Sequence, residues 1–302
     1  MPDIIIIGAG TAGLTAAIYC QRAGKEALVL EGKSIGGQIV NTPEVENYPG
    51  IAKTSGFDFV MGLLEQAKGC GATVKTQAVL SVEESSEGFI VHTKRNTYEA
   101  KALIIASGAA NRTLGLQNEN ELIGKGISYC ATCDGAFYKE KNVAVIGGGN
   151  TALEDAAFLS NYCKKVYLVH RRNEFRGEPK SAELLRQRDN VEMVLDSVAD
   201  EILADDRVKG LVVKNVKNGE KRTLDVDGIF VAIGQVPQNS LFANLVSLDE
   251  KGYIIADESC ETVRPGIFTA GDCRTKKVRQ LTTAASDGAV AALAACEYID
   301  RL

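Results

Sequence analysis

Two glycine-rich turns, each preceded by a short β-branched run and each opening an Ala- and Leu-rich segment, predict an α/β chain with one architecture written twice. The first turn is Gly8-Ala9-Gly10-Thr11-Ala12-Gly13, and the second is Gly147-Gly148-Gly149-Asn150-Thr151-Ala152. A chain of 302 residues suits two domains better than one core. The expected fold is therefore two Rossmann-like nucleotide-binding domains, each with a central parallel sheet and an antiparallel β-meander.

The first copy begins with a strand over Asp3 to Gly8, then a helix ending near Gly24. Gly8, Gly10 and Gly13, with Thr11 and Ala12 between them, stand where a pyrophosphate approaches the backbone and meets a helix N-terminus. A second strand, Glu26 to Leu30, ends at Glu31, in place to accept hydrogen bonds from a ribose diol. Gly36-Gly37-Gln38 and the turn-rich Asn47-Tyr48-Pro49-Gly50 follow, then a helix over Ser55 to Lys68. Alternating stretches at Thr73 to Val79, Phe89 to Lys94 and Tyr98 to Ala100 predict the meander, and Ala102 to Ala106 a buried strand closed by Gly108. A polar shift from Asn111 to Gly126 marks a linker.

The second copy runs as strand Val143 to Ile146, helix Leu153 to Tyr162 and strand Val166 to Val169. A helix over Glu178 to Arg188 and an alternating region from Val191 to Val226 precede Ile229 to Ala232, which leads through Ile233 to Gly234 as the first copy leads to Gly108. The copies differ where Glu31 stands in the first. The second has His170-Arg171-Arg172, with Arg176 a turn further on. Guanidinium groups there reward a 2′-phosphate through charge-assisted hydrogen bonds, so the first site suits FAD and the second NADPH. The alternative is a solvated basic face.

The tail supplies a short strand ending at Gly271-Asp272, whose carboxylate can bond a ribityl hydroxyl. Arg279-Gln280 then precede a helix over Leu281 to Tyr298, whose N-terminus carries positive potential toward a flavin ring or simply packs the domain.

Between the copies lies Ser128-Tyr129-Cys130-Ala131-Thr132-Cys133-Asp134-Gly135. Two thiols so spaced close and reopen a small disulfide without unfolding anything, as thiol-disulfide exchange requires. Asp134, directly after the second thiol, is a general acid or the cap of the turn before Ala136. Cys130 and Cys133 also read as half of a zinc site, but no second pair has ligand spacing and the histidines are His92 and His170 alone. The remaining cysteines, Cys20, Cys70, Cys163, Cys260, Cys273 and Cys296, are expected to be small buried hydrophobes.

A formal charge of -5 gives no general invitation to nucleic acid or anionic membrane. The first residues lack a basic leader and a cleavage site, and Ala289 to Cys296 is far short of a bilayer span, so a soluble, cytoplasmic protein is expected.

The order of these motifs, with Glu46-Asn47-Tyr48-Pro49-Gly50, Cys130-Ala131-Thr132-Cys133-Asp134-Gly135, the two glycine turns, His170-Arg171-Arg172 with Arg176, and Ala270-Gly271-Asp272, resembles bacterial low-molecular-weight thioredoxin reductase over essentially the whole chain. The resemblance implies an FAD domain in two parts, residues 1–112 and 237–302, and an NADPH domain at residues 113–236 carrying the Cys pair. It implies a homodimer, thioredoxin as the oxidised partner, Cys133 lying against the flavin, Cys130 exchanging with thioredoxin and Asp134 as acid. It also implies rotation of the inserted domain, so that the flavin meets either the nicotinamide or the disulfide. By the same resemblance Gly37, Gln38, Asn47 and Gly108 join the FAD site, and Ile233 and Gly234 the NADPH site. Leu116-Gln117-Asn118 in place of Pro-Gly-Glu, and Cys273 after Gly-Asp, depart from the pattern. A related reductase serving another disulfide carrier, or drawing on ferredoxin, is the alternative; ferredoxin-using relatives lose the second glycine turn and the arginines that are present here.

Overall fold

Four consecutive isoleucines, Ile4–Ile7, make the central strand of a five-stranded parallel sheet. The structure is a computed structural model that describes residues 1–302, the side chain of Asn41 excepted. Strand order is Ile267–Thr269, Ala102–Ile105, Ile4–Ile7, Ala27–Glu31 and Thr73–Thr76, with Ile4 opposite both Ala27 and Ala102. Ile4 and Ile6 pack against helices Thr11–Arg22, Gly56–Gly69 and Leu281–Asp300, while Ile5 and Ile7 meet Val82, Phe89 and Val91 of an antiparallel meander. A strand covered on both faces has no position for a polar side chain, which is why this run is uninterrupted.

Residues 111–235 form a separate compact unit, and residues 1–110 with 236–302 form the other. The second unit repeats the sheet in the same order: Ile127–Ser128, Gly228–Val231, Asn142–Ile146, Lys165–Val169 and Val191–Val194. The two-faced sorting repeats as well. Val143 and Val145 pack on helix Asn150–Leu159, and Ala144 and Ile146 on Leu211, Val213 and Leu224 of the three-stranded sheet Ser197–Ala204, Val208–Asn215 and Lys221–Asp225.

Helices Thr11–Arg22 and Leu281–Asp300 meet through Ala12, Ala16, Ala17, Ala291, Ala292 and Ala295, all buried. Their approach is so close that a Cβ at Gly288 would strike the carbonyl oxygen of Ala12. Small side chains here trade side-chain area for backbone proximity. Ser55 caps helix Gly56–Gly69, its hydroxyl accepting from Asp58 N at 3.0 Å. Gln280 and Thr283 form a reciprocal cap at the start of Leu281–Asp300.

Three expectations are corrected. Thr73–Thr76 and Val191–Val194 are edge strands of the parallel sheets, not parts of the meanders. The first meander is instead Val79–Ser85, Gly88–Thr93 and Thr97–Ala100. An edge strand covered on one side alternates like a meander strand, so the pattern cannot separate them. The helix expected from Leu153 begins at Asn150, because the glycine turn itself opens it, and it ends at Leu159. Cys70 is half-buried, whereas the other five free cysteines are buried. Among the described residues no helix is long and apolar enough to cross a membrane.

The ring of Phe230, 1% exposed, meets Tyr138 edge-on at 5.2 Å in the core of residues 111–235. Phe230→Ala is expected to lower the unfolding free energy of that unit by about 3–5 kcal/mol, checked by chemical denaturation.

Candidate active site

Cys130 comes just after the two-residue strand Ile127–Ser128 and immediately precedes the short helix Ala131–Asp134. Helix geometry brings the two thiols to one side of a single turn, and Cys130 and Cys133 are joined as a disulfide, Cα–Cα 5.3 Å. The acid after them does not cap the next turn. Instead Ser128 Oγ donates to Asp134 Oδ2 at 2.6 Å and accepts from Cys130 N at 3.0 Å, tying the backbone of the first cysteine to the carboxylate after the second. Burial pushes the Asp134 carboxyl above its ordinary value, and the Ser128 hydrogen bond opposes this without cancelling it. A carboxylic acid that keeps its proton beyond the usual range, beside an exchangeable disulfide, can protonate a leaving thiolate.

In the unit of residues 1–110 and 236–302, Gly8 and Gly13 touch through backbone. A Cβ on Gly13 would strike the Gly8 carbonyl, and one on Gly8 (φ +111°) the Ala106 carbonyl. Gly10 lies open: a Cβ there would come no nearer than 3.8 Å to the Gly36 carbonyl oxygen. That is the arrangement a bound pyrophosphate needs: a tight turn, a bare approach, and a helix beginning at Thr11. Thr11 and Ala12 are buried in the first turn of that helix. Glu31 accepts from Ala9 N and Lys33 N, each at 2.8 Å, which fixes its carboxylate at the end of the second strand.

Gly37 starts a 3-10 turn, and Gln38 Nε2 donates to the carbonyl of Ala109, next to Gly108. Asn47 Nδ2 donates to Gln280 Oε1 at 3.3 Å. The guanidinium of Arg279 lies 4.2 Å above the ring of Tyr253 and donates to the carbonyls of Lys276 at 3.1 Å and Arg274 at 3.3 Å. Asp272 Oδ1 is buried with no hydrogen-bond partner among the described residues. Burial raises its carboxyl, against the pull of Lys276 and Arg279. An orphaned buried oxygen beside an open glycine turn fits a polyhydroxylated dinucleotide, and FAD fits this donor and acceptor set.

In residues 111–235 the turn Gly147–Thr151 repeats the cradle. A Cβ at Gly147 would strike Ala232 O, Gly149 is open, and Asn150 and Thr151 begin a helix. Ile233 and Gly234 follow the strand Gly228–Val231, with Gly234 O accepting from Arg112 N at 3.0 Å. His170 takes a different place from the arginines. Its ring is buried against Gly148, stacked on Phe175 at 5.2 Å, with Nε2 3.1 Å from Glu174 O. Burial, then the surrounding arginines, lowers its pKa despite the Glu174 contact, so it supports the turn as a neutral ring. Arg171, Arg172 and Arg176 are exposed, and among the described residues none forms an ion pair with a carboxylate. Three such guanidinium groups at the end of the second strand are set out for an anionic ligand, and an extra ribose phosphate fits them.

Among the described residues no group of three or more His, Cys, Asp or Glu is placed to hold a metal. A disulfide centre, a dinucleotide cradle and a second cradle rimmed by arginine together define a class: the chain belongs to the pyridine nucleotide-disulphide oxidoreductase family, whose model matches residues 2–288. Within that class the likeness is to thioredoxin reductases. The thioredoxin reductase of Listeria monocytogenes is 42% identical over 99% of this chain and 94% of that protein. That of Treponema pallidum is 40% identical over 99% and 98%. The crystal structure of thioredoxin reductase from Streptococcus pyogenes is 37% identical, covers 100% of this chain and 99% of its own, and superposes with a TM-score of 0.95.

Sequence reasoning missed several supporting residues. Ser128 has one signal in the sequence, a hydroxyl two residues before a cysteine. Glu119, expected in a linker, is buried, and its carboxylate accepts from Leu114 N and Gly115 N at 2.8 Å and from Tyr129 Oη at 2.8 Å, bracing the residue before Cys130. Asp155, on helix Asn150–Leu159, has its carboxyl pushed up to about 7, first by burial and then by Glu154. An acid whose folded pKa exceeds its unfolded value of 3.8 makes stability fall as pH rises through that window. Asp155→Asn should therefore unfold at higher temperature than the parent at pH 8 and lose that advantage near pH 4, read by calorimetry across pH.

Proposed function

We propose that the protein is an NADPH-dependent thioredoxin-disulfide reductase, a flavoprotein that moves electron pairs from NADPH through FAD to the Cys130–Cys133 disulfide and on to oxidised thioredoxin. The observation that carries this reading is the disulfide beside a half-buried acid whose carboxyl is held above its ordinary value, in the same unit as an arginine-rimmed cradle. When bound, FAD supplies the two-electron chemistry that links a hydride donor to a disulfide. Residues 1–110 and 236–302 would hold it, with the pyrophosphate on Gly8, Gly10 and Gly13, the ribose on Glu31 and the ribityl chain on Asp272. Gly37, Gln38, Asn47, Gly108, Arg279 and Gln280 would line the rest.

Residues 111–235 would hold NADPH, with Gly147, Gly149, Asn150 and Thr151 on the pyrophosphate, Ile233 and Gly234 beside the nicotinamide half, and Arg171, Arg172 and Arg176 on the 2′-phosphate. Two electrons and two protons open the Cys130–Cys133 bond to a dithiol. Cys130 then attacks one sulfur of the thioredoxin disulfide as its thiolate, the other sulfur leaves and takes a proton from Asp134, and the proton given up by Cys130 restores Asp134. Cys133 gives up its proton and attacks the Cys130 sulfur, which re-forms the internal bond and expels the second thioredoxin sulfur; that sulfur takes the proton, and reduced thioredoxin is released. A cytoplasmic location suits a chain with six free thiols beside one redox pair. Exposed Tyr19, Val290 and Leu293 on the two packed helices suit a homodimer contact, testable by sedimentation.

Anaerobic titration with NADPH, and separately with NADH, tests the whole reading. NADPH is expected to bleach the flavin and then yield free thiols, and a colourless protein that cannot take up FAD overturns it. Arg171→Gln and Arg172→Gln should each raise the KM for NADPH about tenfold and that for NADH less than about twofold, in steady-state kinetics. Asp134→Asn should retain flavin reduction and slow thioredoxin reduction about a hundredfold. In the parent the exchange rate should fall as pH rises through the raised Asp134 pKa. The variant should lack that limb, because an amide has no proton to lose.

A further inference from the structure

Three charges are buried together where the tail of the chain enters its last helix. The side chains of Arg274, Lys276 and Asp287 are 3%, 6% and 7% exposed. Arg274 grips Asp287 as a fork, Nε to Oδ2 at 2.9 Å and Nη2 to Oδ1 at 2.8 Å, and Lys276 Nζ reaches Oδ2 at 2.8 Å. The same Oδ2 accepts a third hydrogen bond, the carboxylate's fourth, from the backbone N of Gly271 at 2.9 Å. Burial works against the charge on Asp287, but the two cations outweigh it and hold the carboxyl below its ordinary value.

Stability alone is a weak reason to keep such a cluster, because well-packed apolar residues of similar volume serve as well or better. A carboxylate does one thing here that they cannot: it holds the Gly271 N–H in place. Gly271 sits at φ +82° against Ala12 of the glycine-turn helix, and the next residue is Asp272, whose buried Oδ1 has no partner among the described residues. Loss of the carboxylate would release the turn at the residue before Asp272. Arg274 extends the brace, donating to Thr275 O at 3.0 Å, and Lys276 donates to Thr283 O at 3.3 Å near the start of the last helix.

We propose that Asp287, clamped by Arg274 and Lys276, is the positioning residue that fixes Gly271 and thereby aims Asp272 at the ribityl chain of FAD. The inference rests on the FAD reading above. It assigns a role in cofactor affinity to a charge cluster behind the turn that carries Asp272, on residues outside the FAD-contacting set proposed above.

The test uses FAD as probe on the full-length chain stripped of flavin, with folding verified by circular dichroism. Asp287→Asn keeps a carbonyl acceptor and removes the charge. It is expected to raise the FAD dissociation constant about tenfold and to alter the visible spectrum of the bound flavin, with Asp287→Glu recovering part of the affinity. Phe230→Ala, which loosens the other unit, controls for lost stability and should leave FAD affinity unchanged. A folded Asp287→Asn protein that melts earlier but binds FAD as the parent does overturns the inference, reducing the cluster to scaffolding. If that variant does not fold, Arg274→Lys, which keeps the charge and loses the fork, decides: a rise of about threefold or more in the dissociation constant upholds the inference, and no rise overturns it. A parent chain that takes up no FAD sinks the functional reading instead.

Discussion

Burial of the parallel strands on both faces is the constraint on which the rest depends. A strand such as Ile4–Ile7 or Asn142–Ile146, covered by helices on one side and by antiparallel strands on the other, can carry no chemistry along its length. Reactive and binding groups are therefore confined to the ends. Gly8 follows Ile7, Glu31 closes Ala27–Glu31, and Gly271 and Asp272 follow Thr269; in the second unit Gly147 follows Ile146, His170 follows Val169 and Cys130 comes just after Ser128. Every one of these lies at the carboxyl end of a parallel strand, where crossover loops leave room for a ligand. The redox pair thus occupies a standard ligand position of the sheet, filled by covalent chemistry carried on the chain itself.

Desolvation then sets the character of the acids at and near these ends. Asp134, Asp155 and Asp272 all hold protons more tightly than a free carboxyl because they are withdrawn from water with too few donors to compensate. Asp287 is buried too, yet two cations reverse the balance. The contrast is between acids left free to trade protons or accept a ligand and an acid locked in charge to hold backbone. Other polar side chains hold backbone at the redox helix: Ser128 accepts from the backbone N of Cys130, and Glu119, anchored on the backbone N–H groups of Leu114 and Gly115, accepts from the Tyr129 hydroxyl.

The doubled sheet, both cradles and the Cys pair were legible because they rest on local rules: β-branched runs, glycine turns and short spacings. What was not legible depends on partners distant in sequence. Thr73–Thr76 pairs with Ala27–Glu31, and nothing in four alternating residues distinguishes that neighbour from a hairpin partner. Ile127–Ser128 is too short to show any period, although it places Cys130. His170 stood where its arginine neighbours suggested phosphate contact, but the space over Gly148 draws its ring inward, a fact of packing that spacing cannot carry. Asp287 lies in the middle of an Ala-rich helix and has meaning only beside Arg274 and Lys276.

The two sheets share one strand order but not one order along the chain. Ile127–Ser128 comes first in its unit, whereas its counterpart Ile267–Thr269 comes last, after the whole of residues 111–235. On the ribosome, the inserted unit emerges with every strand it needs. The surrounding one must wait, with the flank of Ala102–Ile105 bare and the Ala-lined face of its first helix uncovered, until the final stretch is translated. Nascent-chain care, in the form of chaperones that shield such an interval, would accordingly matter more for the outer unit than for the one it encloses.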